Sequence, residues 1–167
     1  AAVIGGGYIA LEFASILARL GVQVEVFYRG PLPLRGFDES LRIHAASALQ
    51  AAGVTLHAEC VPERVRRVGE SFMLLFGEER MREFPWVLNA TGRRPNTVGL
   101  GLETLGIAVD ALCAVPVDDH FATTAPGVFT IGDVTNRKNL TPVAIMEGHC
   151  FADTEFGRLR KGSLPGN

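Results

Sequence analysis

The sequence predicts an α/β fold, a central parallel sheet with an antiparallel excursion. Three observations carry it. Short apolar or β-branched runs at Ala1–Ile4, Val22–Tyr28, Val54–His57 and Trp86–Ala90 have the length and composition of buried strands. The first three are separated by stretches of helical spacing, the arrangement of strand–helix–strand units. Between the third and fourth runs, Val65–Phe84 alternates and is broken by glycines, which predicts two or three antiparallel strands.

Taken in order, Ala1–Ile4 is a strand that stops at three glycines. From Tyr8 to Leu20, the residues Ile9, Leu11, Phe13, Ile16, Leu17 and Leu20 approximate one helical face. Gly21 stands where a helix C′ residue belongs. Val22–Tyr28 then completes a strand–helix–strand unit. Arg29–Phe37 holds two Gly and two Pro and reads as a loop. Asp38 is placed to cap a helix that runs to about Ala52 and ends at Gly53. After Trp86–Ala90 and Pro95 the texture becomes loop-rich. Val128–Ile131 reads as a strand, and Thr141-Pro142 opens a helix to about Phe156, with Pro at the first helical position. Leu159–Asn167 reads as linker. The chain lacks an initiator Met and opens directly on a strand pattern, so it is expected to be a piece of a longer protein.

The 167 residues carry 16 basic and 18 acidic side chains and are 47% hydrophobic. That balance is globular and gives no electrostatic reason to expect nucleic acid or an acidic membrane surface. No apolar run reaches about 18 residues, so no spanning helix is expected. The opening segment has no basic n-region and carries Glu12, which argues against a signal peptide. Cys60, Cys113 and Cys150 have neither C-x-x-C nor zinc spacing, so no metal site is expected. Such a sparse, odd set fits a reducing, cytoplasmic setting.

Gly5-Gly6-Gly7-Tyr8-Ile9-Ala10 matches G-x-G-x-x-A between a strand and a helix. The first glycine permits a tight turn, Gly7 lets the backbone approach a pyrophosphate, and Ala10 lets the helix pack closely on the strand. The uncapped N–H groups and the dipole of the helix favour the phosphates. The plain alternative is a glycine turn without a ligand. An NAD site wants an acid about 20 residues on. Glu25 has that spacing but lies inside its strand, whereas the strand tip is near Tyr28-Arg29. There the chain offers Arg29 and, across the proline loop, Arg35. A guanidinium fork matches a phosphate, and two can clamp a dianion. At roughly 1.5–3 kcal/mol each, two charge-assisted bonds would favour NADPH over NADH by roughly two to four decades. The alternative is two solvated loop arginines.

Thr130-Ile131-Gly132-Asp133 ends a predicted strand in Gly-Asp. Its carboxylate can accept from a polyol hydroxyl, and the helix opening at Thr141 offers N–H groups to an anion or a carbonyl. An Asp turn followed by an ordinary helix is the bland reading.

The stretches GGGYIALEFA, YRGPLPLRGFDE, ATGRRPNT and TIGDVTNRKNLTPVAIMEG together resemble the flavin-dependent disulfide reductases, in order from Ala1 to about Phe156. The nearest type is the glutathione reductases of bacteria and plants. The resemblance implies a Rossmann-like NADPH-binding domain over residues 1–92, the returning segment of an FAD-binding domain over 93–156, and a linker over 157–167. It implies hydride passing from NADPH to FAD, then to a disulfide, and on to glutathione disulfide or a similar small disulfide. By position, Gly5, Gly6, Gly7 and Ile9 would line the NADPH pyrophosphate and ribose. Tyr8 resembles the aromatic gate over the flavin, and Glu12 the carboxylate near the nicotinamide. Arg29 and Arg35 resemble the 2′-phosphate clamp. Gly92 would let the dinucleotide pass close, Asp133 would hold the FAD ribityl chain, and the helix start at Thr141 would face the flavin N1–O2 edge. The resemblance also implies a homodimer in the full-length protein.

Three departures stand beside this. The FAD-binding glycine fingerprint and redox cysteine pair belong upstream of Ala1. The catalytic His-Glu pair belongs to a C-terminal interface domain, and His44, His57, His120 and His149 do not replace it. His149 also stands where animal-type members place an arginine for the substrate carboxylate. No catalytic residue is therefore expected here, and the piece alone is expected not to turn over. Trypanothione or mercuric reductases would share this segment. A stand-alone nucleotide-binding module and a non-catalytic assembly protein are the other classes; intact Glu12, Arg29 and Arg35 disfavour the last.

Overall fold

The computed structural model describes residues 1–77 and 80–157, so most of the 157–167 linker lies outside the described residues. The chain divides into two compact units at Gly92/Arg93.

In the first unit, β1 (Ala2–Ile4), β2 (Glu25–Phe27), β3 (Thr55–His57) and β7 (Val87–Asn89) form a parallel sheet of order β3-β2-β1-β7. Ile4 is in register with both Phe27 and Asn89. The C-terminal ends of β1, β2 and β7 therefore share one edge. Helix α1 (Tyr8–Arg19) buries Ala10, Leu11 and Ala14, and these pack with Val3, Val24 and Val26. It stops where Gly21, at φ 85°, donates to Ala18 O and Val22 donates to Leu17 O. That cap uses the backbone at the start of the predicted Val22–Tyr28 run, and the ladder forms only over Glu25–Phe27.

Helix α2 (Glu39–Ala51) begins at Asp38, whose carboxylate accepts from the Ser40 and Leu41 N–H groups and the Ser40 hydroxyl. The Ser40 hydroxyl, then the two N–H groups, hold this carboxyl below the usual range. The cap is accordingly complete above the ordinary carboxylate pKa. It is expected to be lost only as pH falls through the lowered value, so fraying of α2 on acidification, followed by amide exchange, should begin below about pH 4.

The excursion is a three-stranded antiparallel sheet, β4 (Arg64–Val68), β5 (Ser71–Phe76) and β6 (Arg80–Phe84). Leu74 and Phe84 pack with Ala2, Ile4 and Phe27 on the opposite face of the parallel sheet from α1.

The second unit has a small core of Ile107, Val115 and Ala125 and one long helix, α3 (Thr141–Glu155). Val128–Ile131 does not form the strand its composition predicts. Val128 donates to Ala125 O in a turn, while Thr123 donating to Val128 O and Thr130 donating to Phe121 O make a single antiparallel bridge that does not extend into a ladder. That bridge, Ala122 to Phe129, stands isolated among the described residues.

Candidate functional site

Parallel strands deliver their following loops to one edge, and in such sheets ligands bind there. Gly5, Gly6 and Gly7 follow β1 on this edge, Arg29 follows β2, and Gly92 follows β7.

The three glycines differ in what surrounds them. Gly5 sits at φ +133°, and a Cβ there would lie 2.3 Å from Ala90 O. A Cβ on Gly6 would meet the Tyr28 Cβ at 3.0 Å. Protein packing explains both. Around Gly7 a Cβ would meet nothing within 4 Å, and its φ of −82° suits any residue. Gly7 is the N-cap of α1, with no side-chain cap and no acid in the first turn. The helix start is thus an open, uncapped cluster of N–H donors, which fits an anion. Tyr8 and Glu12 are exposed one turn apart on α1, and Ile9 is half-buried. Gly92, at φ +145°, is exposed with open space beside it.

Glu25 is excluded as the ribose acid by topology. It pairs with Ala2 at the start of β2, the far end of the sheet from Gly5. There it forms a two-pronged ion pair with Arg82 at 2.5 and 2.6 Å and bonds His57 Nε2 at 2.6 Å. His57 in turn stacks on Phe27 at 4.5 Å. The cluster ties β2 and β3 to β6. Because Arg82 is 40% exposed, Glu25→Gln is expected to cost only about 1 kcal/mol, read by denaturant titration, without altering nucleotide preference.

Tyr28 fills the strand tip, 5% exposed, and burial raises its phenol above the ordinary value. Beyond it, the 29–37 loop folds back onto the glycine turn. Leu34, at φ +53°, donates its N–H to Gly6 O at 2.6 Å, and Leu34 and Pro33 are buried. Arg29 and Arg35 flank this anchor, both exposed. Arg42 of α2 reaches the same loop, with Nε on Pro33 O at 2.8 Å and Nη2 on Leu32 O at 3.0 Å. Sequence reasoning missed Arg42, because its acceptors are main-chain carbonyls with no local signature.

A cavity of about 360 Å³ opens beside β1 and β7, lined by Ile4, Val61, Phe72, Val87, Asn89 and Thr91 among others. It contains none of the residues predicted to bind a cofactor.

In the second unit, Asp133 lies in a 3₁₀ turn (Gly132–Thr135) and pairs with Arg93 at 3.2 Å, both about half exposed. The buried Glu147 of α3 holds that turn, its Oε2 accepting from Gly132 N at 2.7 Å and its Oε1 lying 3.6 Å from Arg137. Helix α3 starts after Leu140 with no side-chain cap and with Pro142 in its first turn. Thr141 is exposed. An exposed carboxylate and an uncapped helix start suit a polyol and an electron-rich ring edge. Among the described residues, no group of three His, Cys, Asp or Glu could hold a metal, and no helix is long and apolar enough to cross a membrane.

Residues 1–148 match the pyridine nucleotide-disulphide oxidoreductase family. The chain belongs to that family. The chain is 49% identical to a glutathione reductase of Burkholderia cepacia over 93% of its length and 35% of the relative. It is 43% identical to the chloroplastic/mitochondrial glutathione reductase of Pisum sativum, over 93% of the chain and 28% of that protein. The HOCl-induced flavoprotein disulfide reductase RclA of Escherichia coli superposes with a TM-score of 0.89 at 29% identity, covering 97% of this chain and 37% of that one. The chain thus spans about a third of the length of the relatives it matches.

Proposed function

We propose that the chain is the NADPH-binding domain, residues 1–92, and the returning part of the FAD-binding domain, residues 93–156, of a cytoplasmic, homodimeric glutathione-disulfide reductase. The observation that carries this reading is the Leu34–Gly6 hydrogen bond. It brings the loop bearing Arg29 and Arg35 back onto the glycine turn. A pyrophosphate at the α1 start and a 2′-phosphate at the loop are then met by one continuous surface.

In the assembled protein, bound NADPH would supply hydride chemistry and bound FAD the two-electron chemistry that reaches a disulfide. The residues of this chain bind and orient. Gly7 and the first N–H groups of α1 receive the pyrophosphate, with Gly5 and Gly6 shaping the turn and Ile9 beside the ribose. Tyr8 covers the nicotinamide position until the coenzyme enters, and Glu12, one turn on, contacts the nicotinamide. Gly92 keeps the neighbouring edge open. Asp133 would accept from the ribityl chain of FAD, and the N–H groups at the helix start of Thr141 would favour negative charge at the ring edge. The glutathione reductase relatives support glutathione disulfide as the substrate.

Isothermal titration tests the coenzyme. NADPH should bind at least roughly tenfold more tightly than NADH, and Arg29→Ala with Arg35→Ala should remove most of that gap while leaving NADH binding nearly unchanged. Equal affinity of the unaltered chain for both coenzymes would contradict the clamp.

A further inference from the structure

We infer that Arg42 is a specificity-determining positioning residue, a clasp that holds the 29–37 loop in the shape that aims Arg29 and Arg35 at a 2′-phosphate. The inference rests on the clamp reading above. Several contacts fix this loop. Glu59 donates to Gly30 O at 3.2 Å, Leu34 donates to Gly6 O, and the Arg42 guanidinium donates to Leu32 O and Pro33 O. The first two are main-chain bonds. The Arg42 fork is a side-chain contact that substitution can remove without altering the loop's own sequence.

Its geometry suits a clasp. Arg42 is half-buried in the first turns of α2, and that helix start is fixed by the Asp38 cap. A rigid helix therefore presents the fork to two consecutive carbonyls midway between the two exposed arginines. A planar guanidinium can satisfy both carbonyls at once, whereas a lysine ammonium is a single compact charge. With the fork spent on the loop backbone, Arg42 acts on the phosphate through the loop. Without it, residues 30–33 gain freedom, and the entropy of ordering Arg29 and Arg35 falls on the binding step. Only a ligand that uses those arginines should register the loss.

The test uses adenosine 2′,5′-bisphosphate and adenosine 5′-monophosphate, titrated into the chain carrying Arg42→Ala, Arg42→Lys, or Arg29→Ala with Arg35→Ala. Arg42→Ala should cut the preference for the bisphosphate by roughly tenfold, leave monophosphate affinity within about twofold, and raise amide exchange at Leu34. Arg42→Lys should recover part of the preference. If the double variant collapses the preference and neither Arg42 variant alters it, the clasp is refuted and the clamp stands. If the double variant itself changes nothing, clamp and clasp both fall. Equal weakening of both ligands by Arg42→Ala would also overturn the clasp, since a general loss of structure would account for it.

Discussion

Gly5→Ala should destabilise the first unit severely, and Gly7→Ala should leave its stability nearly unchanged while weakening NADPH at least roughly tenfold. The two glycines stand two residues apart in one turn, yet their environments differ. At Gly5 a methyl carbon would sit 2.3 Å from the Ala90 carbonyl oxygen, and the φ of +133° is closed to L side chains. Neither neighbour can yield, because Gly5 N is bonded to Phe27 O and Ala90 N to Ile4 O. Backbone strain of about 1–3 kcal/mol adds to an overpacking cost of about 1–3 kcal/mol. Together that is about 2–6 kcal/mol, and at about 4–8 °C per kcal/mol for a unit this size the melting temperature should drop by about 10–50 °C. At Gly7 the methyl would enter open space at a φ any residue adopts, so stability should change by no more than about 1 kcal/mol. The same methyl would occupy the ground a pyrophosphate needs. Thermal melts and NADPH titration of both variants separate the roles. Retained affinity in Gly7→Ala would remove the phosphate from that position.

How much of this was legible in the sequence follows from the range of each interaction. Helices α1 and α2 were readable with their ends, because Gly21, Asp38 and Gly53 act within a few residues of where they stand. The antiparallel excursion was readable from alternation and from Gly69, a turn residue at φ +61°. Val128–Ile131 misled because apolar β-branched composition reports burial, and a strand also needs a partner ladder that composition does not encode. Glu25 shows the same limit at the site. Its spacing from Gly5 suits a ribose acid, and only the parallel register puts it at the wrong end of β2. Arg42 and Glu147 were invisible for one shared reason. Each holds a loop proposed to meet a cofactor by bonding backbone groups 9 to 15 residues away, and any loop sequence supplies such groups.

Glu147→Ala should destabilise the second unit by about 2–4 kcal/mol, while Glu147→Gln should cost about 1 kcal/mol or less. Glu147 is 7% exposed, and its Oε2 is the acceptor for the Gly132 N–H. Alanine would strand that buried donor and leave a void beneath the turn. Gly132 has little room to adjust, since its φ is +72° and a Cβ there would lie 3.1 Å from the Ala144 Cβ. Glutamine keeps an oxygen at the same reach and gives up only the charge facing Arg137, at 3.6 Å and partly in water. Because Asp133 follows Gly132 directly, the alanine variant should also misplace the carboxylate proposed for the ribityl chain. Denaturant titration gives the two stabilities, and amide exchange at Gly132 reports the bond itself. Equal losses in the two variants would shift the weight from the Gly132 hydrogen bond to the Arg137 ion pair, and the turn would then be held by charge.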